Sequence, residues 1–155
     1  DWYVERQLNH FKSGVRGQTE GDAYGASMVG MANMLVDDAA VRNMAAYIAT
    51  LPDVPAAVTI QGDIANGADI YDRNCAACHL DNGNGTWYTD APKISGMNDW
   101  YFVTQIKNFR NGYRGLHAAD PYGEQMVSMA TAMAAKDIDD TKEMEDVAAY
   151  LNTLR

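Results

Sequence analysis

Apolar residues recur along this chain at spacings of three and four, the period that lays them on one face of an α-helix. Tyr101, Phe102, Gln105, Ile106 and Phe109 mark a helix over about 98–109. Met144, Val147, Ala148 and Leu151 share one face of a last helix over about 140–154. Gly62 and Asp63 open a short helix that passes through Ile64, Gly67, Ala68 and Tyr71 and runs into Cys75. Methionine-rich helical sequence begins near Met126. Between these stretches lie a long polar loop from Asp81 to Gly96 and an irregular, glycine-rich segment over 112–123. The two-residue alternation of strands is nearly absent, so the expected fold is all-α.

The pattern repeats. At a shift of 98 positions Trp2 and Tyr3 fall on Trp100 and Tyr101, Gln7 on Gln105, and Phe11 on Phe109. Gly14, Arg16 and Gly17 fall on Gly112, Arg114 and Gly115; Asp22, Tyr24 and Gly25 on Asp120, Tyr122 and Gly123; Met28 on Met126. After five extra residues in the second copy, Ala45, Ala46 and Tyr47 match Ala148, Ala149 and Tyr150. The first copy has no counterpart of 62–98. Residues 1–51 therefore read as the back half of a unit, 52–59 as a linker stiffened by Pro52 and Pro55, and 60–155 as a complete unit.

The distinctive chemistry is Cys75-Ala76-Ala77-Cys78-His79. Two thiols three apart with an imidazole next is the pattern for covalent haem attachment, the thiols adding to the vinyl groups and the histidine ligating iron. A thioredoxin-like C-x-x-C would sit in a βαβ pattern, and zinc would want more ligands than these. Both cysteines of the 155-residue chain are used in the motif. A net charge of −9 argues against a nucleic-acid binder and suits a protein meeting a partner of complementary charge. No apolar run is long enough for a transmembrane helix. Thioether attachment takes place outside an energy-transducing membrane, so the expected location is the periplasm, or the outer face of the bacterial inner membrane within a complex.

The whole series, Gly67, Tyr71, C-x-x-C-H, Pro92-x-Ile94-x-Gly96, Trp100-Tyr101, Gln105, Phe109-x-x-Gly112-x-Arg114, Met126 and Ala149-Tyr150, resembles class I c-type cytochromes. It is most similar to the tandem two-haem, cytochrome c-four type and to related domains on terminal oxidase subunits, with the first domain lacking its haem-attachment half. The resemblance implies a low-spin haem c with His and Met axial ligands, engaged in electron transfer and not in catalysis. A haem enzyme or gas sensor with a displaceable Met, and a structural docking subunit, are the competing readings. Implied partners are a quinol-oxidising complex or a terminal oxidase.

On that resemblance Cys75 and Cys78 bind the haem, and His79 ligates iron with its other nitrogen donating to the Pro92 carbonyl. Ile94 presses on the haem plane. Met126 is the favoured sixth ligand, because Ala130 and Met133 follow it by four and seven; Met129 is second. Arg114 and Trp100 are candidates for the propionates, Tyr122 a weaker one. Gly67 and Tyr71 should pack against Tyr150 and Leu151 of the last helix. His10 and His117 are expected at the surface, and 137–140 is expected to cap the last helix. Met28 corresponds to a ligand whose haem has no attachment site in 1–51. That attachment half could be missing by truncation, supplied by another chain, or dispensed with in a vestigial cap. The open face also predicts self-association or domain swapping through 1–51.

Overall fold

The computed structural model describes residues 2–54, 56–133 and 140–154. Helices follow in the order α1 Trp2–Ser13, α2 Ala23–Asn33, α3 Asp38–Thr50, α4 Ile64–Asn74, α5 Ala76–His79, α6 Asp99–Arg110, α7 Pro121–Met133 and α8 Asp140–Leu151. Among the described residues the extended pairing is a lone bridge between Thr86 and Ala91. The fold is all-α, as the periodicity requires.

Aspartates start several of the helices. Asp63 accepts from the amides of Ala65 and Asn66, Asp37 from Ala40, and Asp22 from Gly25. The segment 112–123 is less irregular than expected, since α7 begins at Pro121. Proline suits the first helical position because its missing N–H needs no partner there, and Asp120 accepts from the Gly123 amide. Residues 137–139, expected to cap the last helix, lie outside the described residues.

The larger core gathers Ile70 and Tyr71 of α4, Phe102, Ile106 and Phe109 of α6, Ala130 and Met133 of α7, and Met144, Val147 and Leu151 of α8. Its tightest point is the α4/α8 crossing. A Cβ on Gly67 would stand 2.0 Å from the Asp146 carbonyl oxygen, so only glycine allows this approach. One turn on, the rings of Tyr71 and Tyr150 lie 5.3 Å apart. A smaller core of Leu8, Phe11, Ala32 and Val41 joins α1, α2 and α3.

The two repeat copies share fine geometry as well as sequence. The Arg16 guanidinium lies 4.6 Å over the Phe11 ring, and that of Arg114 4.5 Å over Phe109. A Cβ on Gly17 or Gly115, both at positive φ, would meet the carbonyl oxygen of Gly25 or Gly123 at 2.5 Å. The copies face each other through a buried, nearly two-fold junction. Arg16 donates to Gln7 (2.7 Å) and Gln105 (2.9 Å); Arg114 donates to Gln105 (2.7 Å), Gln7 (2.9 Å) and the Tyr3 hydroxyl (2.7 Å). Burial, then the neighbouring Arg114 charge, lowers the Arg16 pKa.

The copies differ in what covers their last helix. Val147 and Leu151 of α8 are buried in the core with α4, whereas their counterparts Met44 and Ile48 on α3 are exposed, as is Tyr47.

Candidate functional site

A cleft of about 1280 Å³, counted with its open mouth, runs between α5 and its following loop on one side and α6 and α7 on the other. The amide of Cys75 closes the end of α4 on the Tyr71 carbonyl (2.8 Å), and the chain then turns through α5, where the His79 amide donates to the Cys75 carbonyl (2.9 Å). This single turn presents Cys75, Cys78 and His79 to one cleft. Burial pushes the Cys75 thiol up to about 12, reinforced by Cys78. That is opposite to a redox C-x-x-C, whose attacking sulfur works as a low-pKa thiolate.

His79 is buried, with Nδ1 2.8 Å from the Pro92 carbonyl oxygen. A carbonyl can only accept, so Nδ1 carries the proton and Nε2 keeps its lone pair. Burial lowers the His79 pKa against the opposing pull of that bond, which keeps the ring neutral. The loop is shaped to deliver Pro92. Gly85 sits at φ 64°, its amide donates to the His79 carbonyl (2.9 Å), and a Cβ there would collide with the Pro92 carbonyl oxygen at 2.4 Å. Thr86 and Ala91 close the loop by exchanging backbone bonds of 2.9 and 3.2 Å. Ile94, buried, follows on the same wall.

Across the cleft, α7 contributes Met126, Met129, Ala130 and Met133. Met126 is half-buried and packs on the core; Met133 is buried within it; Met129 lines the cleft yet is 42% exposed. Phe102, Ile106 and Phe109 of α6 complete an apolar interior.

The rim is polar and partly foreign to this half of the chain. Tyr3, Arg6 and Gln7 of α1 line the cleft beside Asp90, Tyr101, Gln105, Arg114 and Tyr122. Burial alone would raise the Tyr3 pKa, but Arg114 and Arg16 draw it below its usual value. Arg6 and Arg114 each keep a buried Nε with no partner. Trp100 is not among the lining residues; it is half-exposed, its ring 6.3 Å from that of Tyr24. His117 is exposed as expected, but His10 is not a surface residue: it is half-buried, its Nδ1 3.9 Å from Asp120. Burial lowers its pKa despite the opposing pull of that carboxylate. Tyr3, Arg6 and Gln7 were not expected in the cleft. Tyr3 and Gln7 were visible as repeat matches; Arg6 has Thr104 as its counterpart and carried no signal.

The family model for cytochrome c matches residues 64–155. The chain belongs to the cytochrome c family. Cytochrome c4 of Azotobacter vinelandii is 30% identical over 150 residues, spanning 88% of this chain and 67% of that protein. The cbb3-type cytochrome c oxidase subunit FixP of Bradyrhizobium sp. (strain ORS 278) is 35% identical over 86 residues, 52% of this chain and 28% of its own length. The cytochrome c4 structure of Acidithiobacillus ferrooxidans superposes with a TM-score of 0.74 at 24% identity, over 97% of this chain and 82% of that one, a likeness of fold.

Membership of the cytochrome c family implies covalently bound haem c. The residues fit it: a pair of cysteines and a neutral histidine on one wall, thioethers on the other, and an apolar interior between. The two unpartnered guanidinium N–H groups at the rim suit a group that bears carboxylates. This cytochrome c is an electron carrier and not an enzyme. Among the described residues no helix is long and apolar enough to cross a membrane.

Proposed function

We propose that this cytochrome c carries electrons through one haem c attached at Cys75 and Cys78, with His79 and Met126 as axial ligands. It does so as a periplasmic carrier or as a domain of a respiratory assembly. The observation that carries the reading is that His79, its tautomer fixed by the Pro92 carbonyl, and Met126 line one apolar cleft with Cys75 and Cys78. When bound, the haem iron supplies a one-electron couple. The chain's part is to hold it: Cys75 and Cys78 by thioether bonds, His79 and Met126 by neutral ligands, Ile94, Phe102 and Ile106 by excluding water. Neutral ligands and apolar walls disfavour added positive charge, which raises the reduction potential. Arg114, buried at the rim, is a stronger candidate than half-exposed Trp100 for meeting a propionate.

Residues 1–51 are read as the back half of a cytochrome c-like unit, 52–59 as a linker and 60–155 as the haem-binding unit. The paired geometry of Arg16 with Phe11 and Arg114 with Phe109 supports this. Met28, on α2 and 38% exposed, would ligate a second haem only where the attachment half is supplied from outside this chain. The electron partners are read as a quinol-oxidising complex or a terminal oxidase, in keeping with the likeness to an oxidase subunit.

Intact mass and iron content of the purified protein should give one haem per chain, with a ferric long-wavelength thioether band. Met126→Ala should abolish that band and Met129→Ala should keep it; the reverse result reassigns the ligand.

A further inference from the structure

Arg6 belongs to α1, yet its guanidinium reaches the loop that carries Pro92. Nη1 donates to the Asp90 carboxylate (2.7 Å) and Nη2 to the Asp90 carbonyl (2.8 Å). Its plane lies 4.7 Å over the ring of Tyr122 on α7, and the rings of Trp2 and Tyr3 flank it at 5.0 and 5.6 Å. The neighbouring Asp90 carboxylate raises the Tyr122 pKa. Asp90 stands two residues before Pro92, which orients His79; Tyr122 stands one helical turn before Met126. Asp90 adopts φ 55°, unusual for a residue with a side chain, and the Arg6 bonds fasten it there.

Resting on the axial assignment above, we propose that Arg6, Asp90 and Tyr122 form a clasp across the mouth of the cleft. It joins the histidine wall to the methionine helix and keeps Met126 from swinging away. Arg6 is thus a positioning residue, and the half-unit that brings it acts as a brace for the haem site of the other. The interaction is a charge-assisted pair with two bonds from one fork, partly shielded from water and stacked on aromatic faces, so it exceeds an ordinary surface ion pair.

Titration of the ferric, haem-loaded protein with imidazole reads the clasp, because imidazole must displace the methionine and extinguish the thioether band. Arg6→Gln, which removes both bonds, should bind imidazole about tenfold more tightly, equivalent to about 1.4 kcal/mol, and Asp90→Asn, which keeps the backbone carbonyl acceptor, should shift affinity in the same direction by less. The double variant should bind no tighter than Arg6→Gln alone, since that change already removes the whole link. Tyr122→Phe should shift affinity in the same direction by less, and carries the test if Arg6→Gln does not take up haem. Asp37→Ala, which removes the cap of α3, should lower the unfolding midpoint and leave imidazole affinity unchanged, separating positioning from general loosening. A thioether band in the unaltered protein with unchanged affinity in all three clasp variants overturns the clasp alone. Absence of the band in the unaltered protein overturns the Met126 ligation reading and the clasp with it.

Discussion

Two buried aspartates set the acid limit of this protein. Asp99 accepts from the Thr59 hydroxyl (2.5 Å) and amide (2.6 Å), the Ile60 amide (2.9 Å) and the Trp100 amide (2.7 Å). Burial opposes its ionisation, but these bonds prevail and hold its carboxyl well below the usual range. Asp146 is lowered likewise: burial is again the largest effect and opposes it, while bonds from Asn66, the Asp63 amide and Lys142 outweigh it. A carboxylate depressed by folding contributes stability that is fully present above its unfolded pKa, about 4, and is lost as pH falls through the folded value. The contribution of these two carboxylates to unfolding free energy should therefore be level above about pH 5 and be lost steadily below about pH 4, and Asp99→Asn should flatten that fall while costing about 2–4 kcal/mol at neutral pH. Denaturant titrations across pH check both; an unchanged acid slope in Asp99→Asn removes Asp99 from this role. Neither aspartate's role was legible in the sequence, because the Thr59 and Ile60 donors to Asp99 lie some 40 residues away along the chain. Cys75, Cys78 and His79 were legible because their geometry is made within one turn of chain, while the acceptor Pro92 was expected from the family resemblance.

At the scale of elements, two helical glycines make opposite predictions. Gly67 lies where α4 meets the α8 backbone, and a methyl there has no room. Gly67→Ala should cost about 1–3 kcal/mol through forced separation of the helices, more than the gain in helix propensity returns. Gly30, in α2, has open space where a side chain would begin, with no atom within 4 Å of a Cβ, so Gly30→Ala should stabilise by about 0.5–1 kcal/mol. Thermal unfolding of the two variants decides, and a stabilised Gly67→Ala would contradict the close crossing. The crossing was readable from Gly67 and Tyr71 at helical spacing. The early start of α7 was not, because the glycines over 112–123 outweighed the helix-opening signal of Asp120 and Pro121. Nor was α5, too short for any periodicity to register.

Across the whole molecule, α3 presents Met44, Tyr47 and Ile48 to solvent on the face that α8 uses to receive α4. Exposed apolar surface of this kind favours association. Light scattering should show mass rising with concentration, and Ile48→Glu should return the protein to a monomer with unchanged helix content. A monomer at every concentration removes 1–51 as an association surface. The repeat announced two like halves, but not that they would face each other, since periodicity within a segment says nothing of its neighbour. That facing has one more consequence. Each glutamine oxygen at the junction accepts from both arginines, so two like charges are held together by acceptors they must share. The arrangement admits no half-measure: withdrawing Gln7 deprives Arg16 and Arg114 of one bond apiece, and neither copy's arginine is furnished by its own copy alone. The two halves are in this sense a keyed pair, each cut to the other's profile.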